Sequence, residues 1–176
     1  EMFHDANKFN GNAEAWDTSS NTNMFGTFES SSEFNANLNG WDTSRATTMT
    51  NTFADAGNFN GNVEAWDVSS NINLTKAFEH ATKFNGNLNG WDVSRATDMA
   101  YTFSDAPEFN SNVEVWDTSS VTRMWYTFGY ATKFNGNVAA WDVSSVTTLS
   151  SIFKVSTRTN TNPCGVLTGV SCTGRH

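Results

Sequence analysis

Residues 84–94 read F-N-G-N-L-N-G-W-D-V-S, from Phe84 to Ser94. The tryptophan in that stretch, Trp91, recurs as Trp16, Trp41, Trp66, Trp116 and Trp141, with an unvarying period of 25. Six copies keep this register without an insertion. A period between 20 and 50 is the mark of stacked units, each burying its neighbour's apolar face. Other columns keep step with the tryptophans. Phe3, Phe28, Phe53, Phe78, Phe103, Phe128 and Phe153 form one, and Phe9, Phe34, Phe59, Phe84, Phe109 and Phe134 a second. Met24, Met49, Leu74, Met99, Met124 and Leu149 form an aliphatic column, and Ala13, Leu38, Val63, Leu88, Val113 and Val138 a weaker one. A buried Trp or Phe removes roughly 150–250 Å² from water, worth about 4–6 kcal/mol. Three such rings per turn offset much of the entropy lost in ordering that turn.

The rest of the composition narrows the function. Fourteen Phe and seven Trp replace the usual Leu, Ile and Val, while Asn, Ser and Thr are abundant. Charged residues are only 16%, which sets the chain apart from charge-rich disordered sequences. The net charge of −8 argues against nucleic acid, whose phosphates call for clustered Lys and Arg. No basic amphipathic stretch and no long apolar run points to a membrane. The chain opens on E-M-F-H, inside a repeat and with no signal peptide, so a natural start upstream is expected. Cys164 and Cys172 lie outside the repeats and form no C-x-x-C pair; a structural disulfide is favoured over two free thiols.

Within each turn, Met49, Phe53 and Ala56 fall at i, i+4 and i+7, and the same spacing recurs in Met99, Phe103, Ala106 and in Met124, Phe128, Ala131. That spacing predicts a short helix such as 48–56, capped by Thr47 and ending near Gly57. Residues from Val63 to Trp66 predict a short strand, then a turn at Asp67-Val68-Ser69. Strands of successive turns would stack about 4.8 Å apart into a rod roughly 30 Å long. The expected fold is therefore an α/β repeat solenoid with one short parallel strand and one short helix in each 25-residue turn, over residues 1–155. Residues 156–176, with Val166, Leu167 and Val170 between the cysteines, form a cap or linker. The N-terminal end carries no such cover, so either the array continues upstream or another subunit stacks there. A longer rhythm overlies the first: Glu14, Glu64 and Glu114, and Arg45 and Arg95, mark alternate turns, so the copied unit is a pair of turns.

The pattern F-N-x-x-[LV]-x-x-W-D-[VT]-S-x-V-T-x-M-x-x-x-F, best matched at Phe109 to Phe128 and Phe134 to Phe153, resembles the repeat of BspA-like leucine-rich-repeat surface proteins. The resemblance implies a leucine-rich-repeat-like solenoid, an extracellular or surface location, and a role in adhesion or recognition, with no shared catalytic residues. Separately, N-P-C-G-V-L-T-G-V-S-C is similar to the N-terminal cap of plant-type leucine-rich-repeat proteins, without its Trp and with one residue more.

Several polar columns invite a sharper reading. Asp17, Asp42, Asp67, Asp92, Asp117 and Asp142 stack like charges, which something must compensate. Backbone N–H groups of each D-x-S turn are the simple answer, and Ca²⁺ held by oxygens of neighbouring turns is the other. No D-x-D-x-D-G spacing supports a calcium loop. Asn10, Asn35, Asn60, Asn85, Asn110 and Asn135, with Asn12, Asn37, Asn62, Asn87, Asn112 and Asn137, suit an amide ladder or a sugar-binding face. Thr22, Thr47, Thr97, Thr122 and Thr147, and Thr27, Thr52, Thr102 and Thr127, raise ice binding, against which Ile72, Ala77, Ile152 and the expected helix all weigh. Phe25, Tyr101, Trp125, Tyr126 and Tyr130 are aromatics off the main columns: packing, or a patch for sugar or protein. His4, His80 and His176 share no column, and Asn73-Leu74-Thr75 is a lone glycosylation sequon.

The structural residues are then Trp16, Trp41, Trp66, Trp91, Trp116 and Trp141, with Phe28, Phe53, Phe78, Phe103 and Phe128. No catalytic residue and no cofactor is expected, because a catalytic site needs unlike groups converging. The expected function is adhesion or structural assembly through stacking of open ends, with a protein partner or a surface glycan. A glycan- or Ca²⁺-binding module is the alternative, and ice binding a more distant one.

Overall fold

The computed structural model describes residues 2–156. Cys164, Cys172 and the rest of the expected cap beyond Ser156 lie outside the described residues. The chain stacks in 25-residue rungs: 24–48, 49–73, 74–98, 99–123 and 124–148, with parts of a rung before and after.

The expected helix and strand are both absent. Among the described residues there is no helix, and β structure is limited to single-residue parallel bridges joining Thr48, Asn73, Asp98, Arg123 and Thr148 in turn. This is not an α/β solenoid with a helix and a strand per turn. Residues 64–65 form a turn where the strand from Val63 to Trp66 was expected. The bridge column lies elsewhere on the rung, on residues of low strand propensity such as Asn73 and Asp98.

The backbone shows why 48–56 is not helical. In a helix, Phe53 N–H would bond the carbonyl of Met49. Here it bonds the Ala77 carbonyl of the next rung, at 2.9 Å. Met49, Asn51 and Asp55 N–H likewise reach forward to Asn73, Thr75 and Glu79 carbonyls at 2.9–3.1 Å. The residues between them turn inward: Thr52, Ala54 and Ala56 N–H close i−3 turns on Met49, Asn51 and Phe53. Alternate amides thus join rungs and close turns. The geometry needs positive φ at every fourth residue, here Asn51 (56°) and Asp55 (58°). In type II turns the third residue takes this conformation. Such residues forbid a helix, yet their four-residue spacing sends Met49 and Phe53 to the same side, imitating helical periodicity.

The interior is a set of ring ladders. Phe28, Phe53, Phe78, Phe103, Phe128 and Phe153 stack with centroids 5.3–5.6 Å apart. Phe53 also lies 3.9 Å from Phe59 in its own rung, and the equivalent pairs from Phe28 onward repeat at 3.9–4.0 Å. The tryptophans form the third ladder, at 6.1–6.3 Å where adjacent rings pair. An indole N–H must find a partner when buried. Trp41, Trp66, Trp91, Trp116 and Trp141 all donate to a carbonyl of the preceding rung: Ala13, Leu38, Val63, Leu88 and Val113.

Candidate interaction surfaces

The six aspartates lie in one exposed column. Each accepts the backbone N–H of the serine two residues on, at 2.9–3.1 Å. Asp17, Asp42 and Asp67 also accept that serine's hydroxyl at 2.6–2.7 Å. Hydrogen bonds to the charged form lower a carboxyl pKa. The serine side chain is the main cause for Asp17, Asp42 and Asp92, and the serine N–H for Asp117 and Asp142. Among the described residues no group of three or more His, Cys, Asp or Glu is placed to hold a metal ion.

The asparagines form two different ladders. Asn10, Asn35, Asn60, Asn85 and Asn110 each offer Oδ1 to the backbone N–H of the asparagine one rung on, at 2.7–2.9 Å. In the second column Asn37, Asn87 and Asn137 donate to Glu14, Glu64 and Glu114 of the preceding rung at 2.6–2.7 Å. Where the acceptor is not a glutamate, Asn112 donates to Asn89 at 3.2 Å. The glutamates of alternate rungs thus each hold an asparagine of the next rung, in step with the two-rung rhythm.

The two threonine rows have different surroundings. Thr27, Thr52, Thr102 and Thr127 are buried, with hydroxyls donating to the Met24, Met49, Met99 and Met124 carbonyls. Only the row of Thr22, Thr47, Thr97, Thr122 and Thr147 faces solvent, and from Thr47 onward these hydroxyls donate to the carbonyl one rung back. Of the two rows raised for ice binding, one therefore faces solvent.

Among the described residues, no rung lies beneath the first. Trp16 is 37% exposed, against 2–5% for the five tryptophans above it. Phe3 and Phe9 are only half-buried, and Met2 is exposed. Beside Trp16 a recess of about 310 Å³ is lined by Trp41, Thr27, Asn21 and Asn23 among others. At higher rungs the corresponding tryptophans are covered by the rung beneath and donate to it.

A second surface runs along the turn-forming edge, where the positive-φ residues sit. Tyr101 and Tyr126 stack at 5.3 Å and 13°, and Trp125 leans on Tyr101 at 5.8 Å. Lys76 lies over Tyr101, and Lys154 over both Tyr126 and Tyr130, each at 5.5 Å. The Ser151 and Lys154 contacts to the Tyr126 hydroxyl hold its pKa below the ordinary tyrosine value. Next along the edge, His80 Nδ1 meets Asp55 at 2.7 Å while Nε2 faces Asp105 at 3.6 Å. His4 pairs with Asp5 and Glu29 at 3.3 and 3.8 Å. Sequence reading named these aromatics but did not join them to His80 and the lysines. The available signal was a column in register with the repeat whose members nonetheless change along the stack.

No helix among the described residues is long and apolar enough to cross a membrane. The family model described as "Mycoplasma protein of unknown function, DUF285" matches the chain twice, over residues 1–91 and 72–165. No curated protein and no solved structure is significantly similar to it. Two overlapping matches are what a repeat family produces on a chain of six rungs, and the chain belongs to the DUF285 family.

Proposed function

We propose that the chain is a non-enzymatic structural or adhesive repeat protein that assembles end to end, at a cell surface. The surface location and the leucine-rich-repeat kinship rest on the W-D-x-S repeat's likeness to BspA-like proteins. Assembly rests on one observation: Trp16 is the exposed member of a column whose other members are buried and donate to the rung beneath. A rung of the same pattern supplies both what Trp16 lacks, a carbonyl for its N–H and an apolar layer for its ring. In this reading that rung comes from the end of a second copy. Such a contact joins unlike ends, is heterologous, and propagates instead of closing.

Sedimentation velocity over a concentration series, with negative-stain microscopy, tests this. The chain should show concentration-dependent oligomers and short rods, and Trp16→Arg should remain monomeric while still melting cooperatively. A wild-type monomer at every concentration overturns the reading.

A further inference from the structure

The rungs form an alignment of the chain with itself. Most columns repeat one residue or one type: Trp six times, Phe in two columns, Asp next to every Trp of the ladder. The turn-forming edge does not. One of its columns reads Gly26, Asn51, Lys76, Tyr101, Tyr126, Ser151, and another Ser30, Asp55, His80, Asp105, Tyr130, Val155. All three tyrosines of the chain lie in these two columns, and the two other off-column aromatics, Phe25 and Trp125, stand beside the first. In stacked-repeat proteins, departures of single repeats from the common pattern often map to the binding face.

The rung imposes positive φ on every described member of both columns, so these positions carry side chains that the backbone does not favour. Gly26 and Asn51 suit positive φ, whereas Tyr101, Tyr126 and Tyr130 adopt it at 57°, 54° and 57° without either advantage. The side chains are also pre-arranged. Lys76, Tyr101, Tyr126 and Lys154 form one layered column, so binding costs little side-chain entropy.

We propose that this edge, carrying Tyr101, Trp125, Tyr126, Tyr130 and Lys154, docks a protein segment that sets a carboxylate against Lys154 and polar acceptors against the tyrosine hydroxyls. Tyr and Trp are the residues that anchor protein interfaces. A sugar would need an open ring face. Each tyrosine of the stacked pair has one face against the other and a lysine over its ring. Lys76 already pairs with Glu79 at 2.9 Å and Lys133 with Glu108 at 2.6 Å, but Lys154 makes no ion pair among the described residues. The occupant is a partner segment that carries Asp or Glu, the charge that Lys154 leaves unmatched. The inference does not depend on end stacking, which uses another surface.

The test uses a random-peptide display library selected on the whole chain, with recovered peptides measured singly by fluorescence anisotropy. Two variants serve as controls: Lys154→Gln, and Tyr101→Asn with Tyr126→Asn, which copies the residue of the 49–73 rung. Recovered peptides should carry Asp or Glu and lose at least about tenfold affinity for either variant. Both variants should keep the wild-type melting temperature and sedimentation. Recovery of no peptide, of peptides without acidic residues, or of peptides that bind the variants equally would overturn the proposal. So would glycan-array binding that the variants abolish.

Discussion

Tyr101 and Phe103 stand two residues apart on one rung and obey different rules. Phe103 is fully buried, stacked between Phe78 and Phe128, and identical to its counterpart in every other rung. Tyr101 is partly exposed, sits at positive φ, and differs from its counterparts Asn51 and Lys76. Phe103 has identical rings above and below it, whereas Tyr101 has Lys76 on one side and Tyr126 on the other. Repetition marks the first position and variation the second.

The largest expected effect separates them directly. Phe103→Ala should cost about 3–5 kcal/mol in chemical denaturation, as large aromatic truncations in packed cores do. Tyr101→Asn should change stability by about 1 kcal/mol or less, because the lost contacts are offset by relief of an unfavourable backbone conformation. Equal losses would mean the edge is simply more core.

Glycines sharpen the same contrast at the backbone. A Cβ on Gly61 would lie 2.0 Å from the Ala36 carbonyl oxygen, whereas one on Gly90 meets nothing within 4 Å. Gly61→Ala should therefore destabilise by about 1–3 kcal/mol, and Gly90→Ala should stay within about 0.5 kcal/mol. The measurement is the denaturation midpoint at constant slope.

Smaller still is the loss of one ladder contact. Asn60 Oδ1 accepts the Asn85 N–H at 2.9 Å, so Asn60→Ala should cost about 1 kcal/mol by the same assay. The smallest effect per group is electrostatic. The folded pKa values of Asp17, Asp42, Asp92, Asp117 and Asp142 lie below the unfolded value. Their stabilisation is complete above the unfolded pKa of about 4, and is lost as pH falls through the lowered folded values. Melting temperature should accordingly drop across that window, and Asp→Asn changes along the column should flatten the drop. A pH-independent melting temperature there would remove the aspartates' part in the turns.

The period of 25 and the aromatic columns were legible, because ring ladders need the same large residue at the same place in every rung. Trp41, Phe53 and Phe84 were readable for that reason. The local conformation was not. Met49, Phe53 and Ala56 have helical spacing, but a turn repeated every four residues gives nearly the same spacing. The clue lay outside the apolar pattern: Gly26 and Asn51, then Ser30, Asp55 and Asp105 in the column four residues later, are residues suited to turns or to positive φ. The bridge at Asn73 and Asp98 left no signal, since a ladder one residue wide asks for no strand-forming side chains. The turn-forming edge could be listed residue by residue but not assembled, because Lys76, Tyr101, Tyr126 and Lys154 meet only once the rungs are stacked.

Amides of residues 49–55 link successive rungs instead of closing a helix. Through-hydrogen-bond NMR couplings on the isotope-labelled chain test it most directly. The account predicts couplings from Met49 N–H to the Asn73 carbonyl carbon and from Phe53 N–H to that of Ala77. Coupling of Phe53 N–H to the Met49 carbonyl carbon, four residues back, would contradict it.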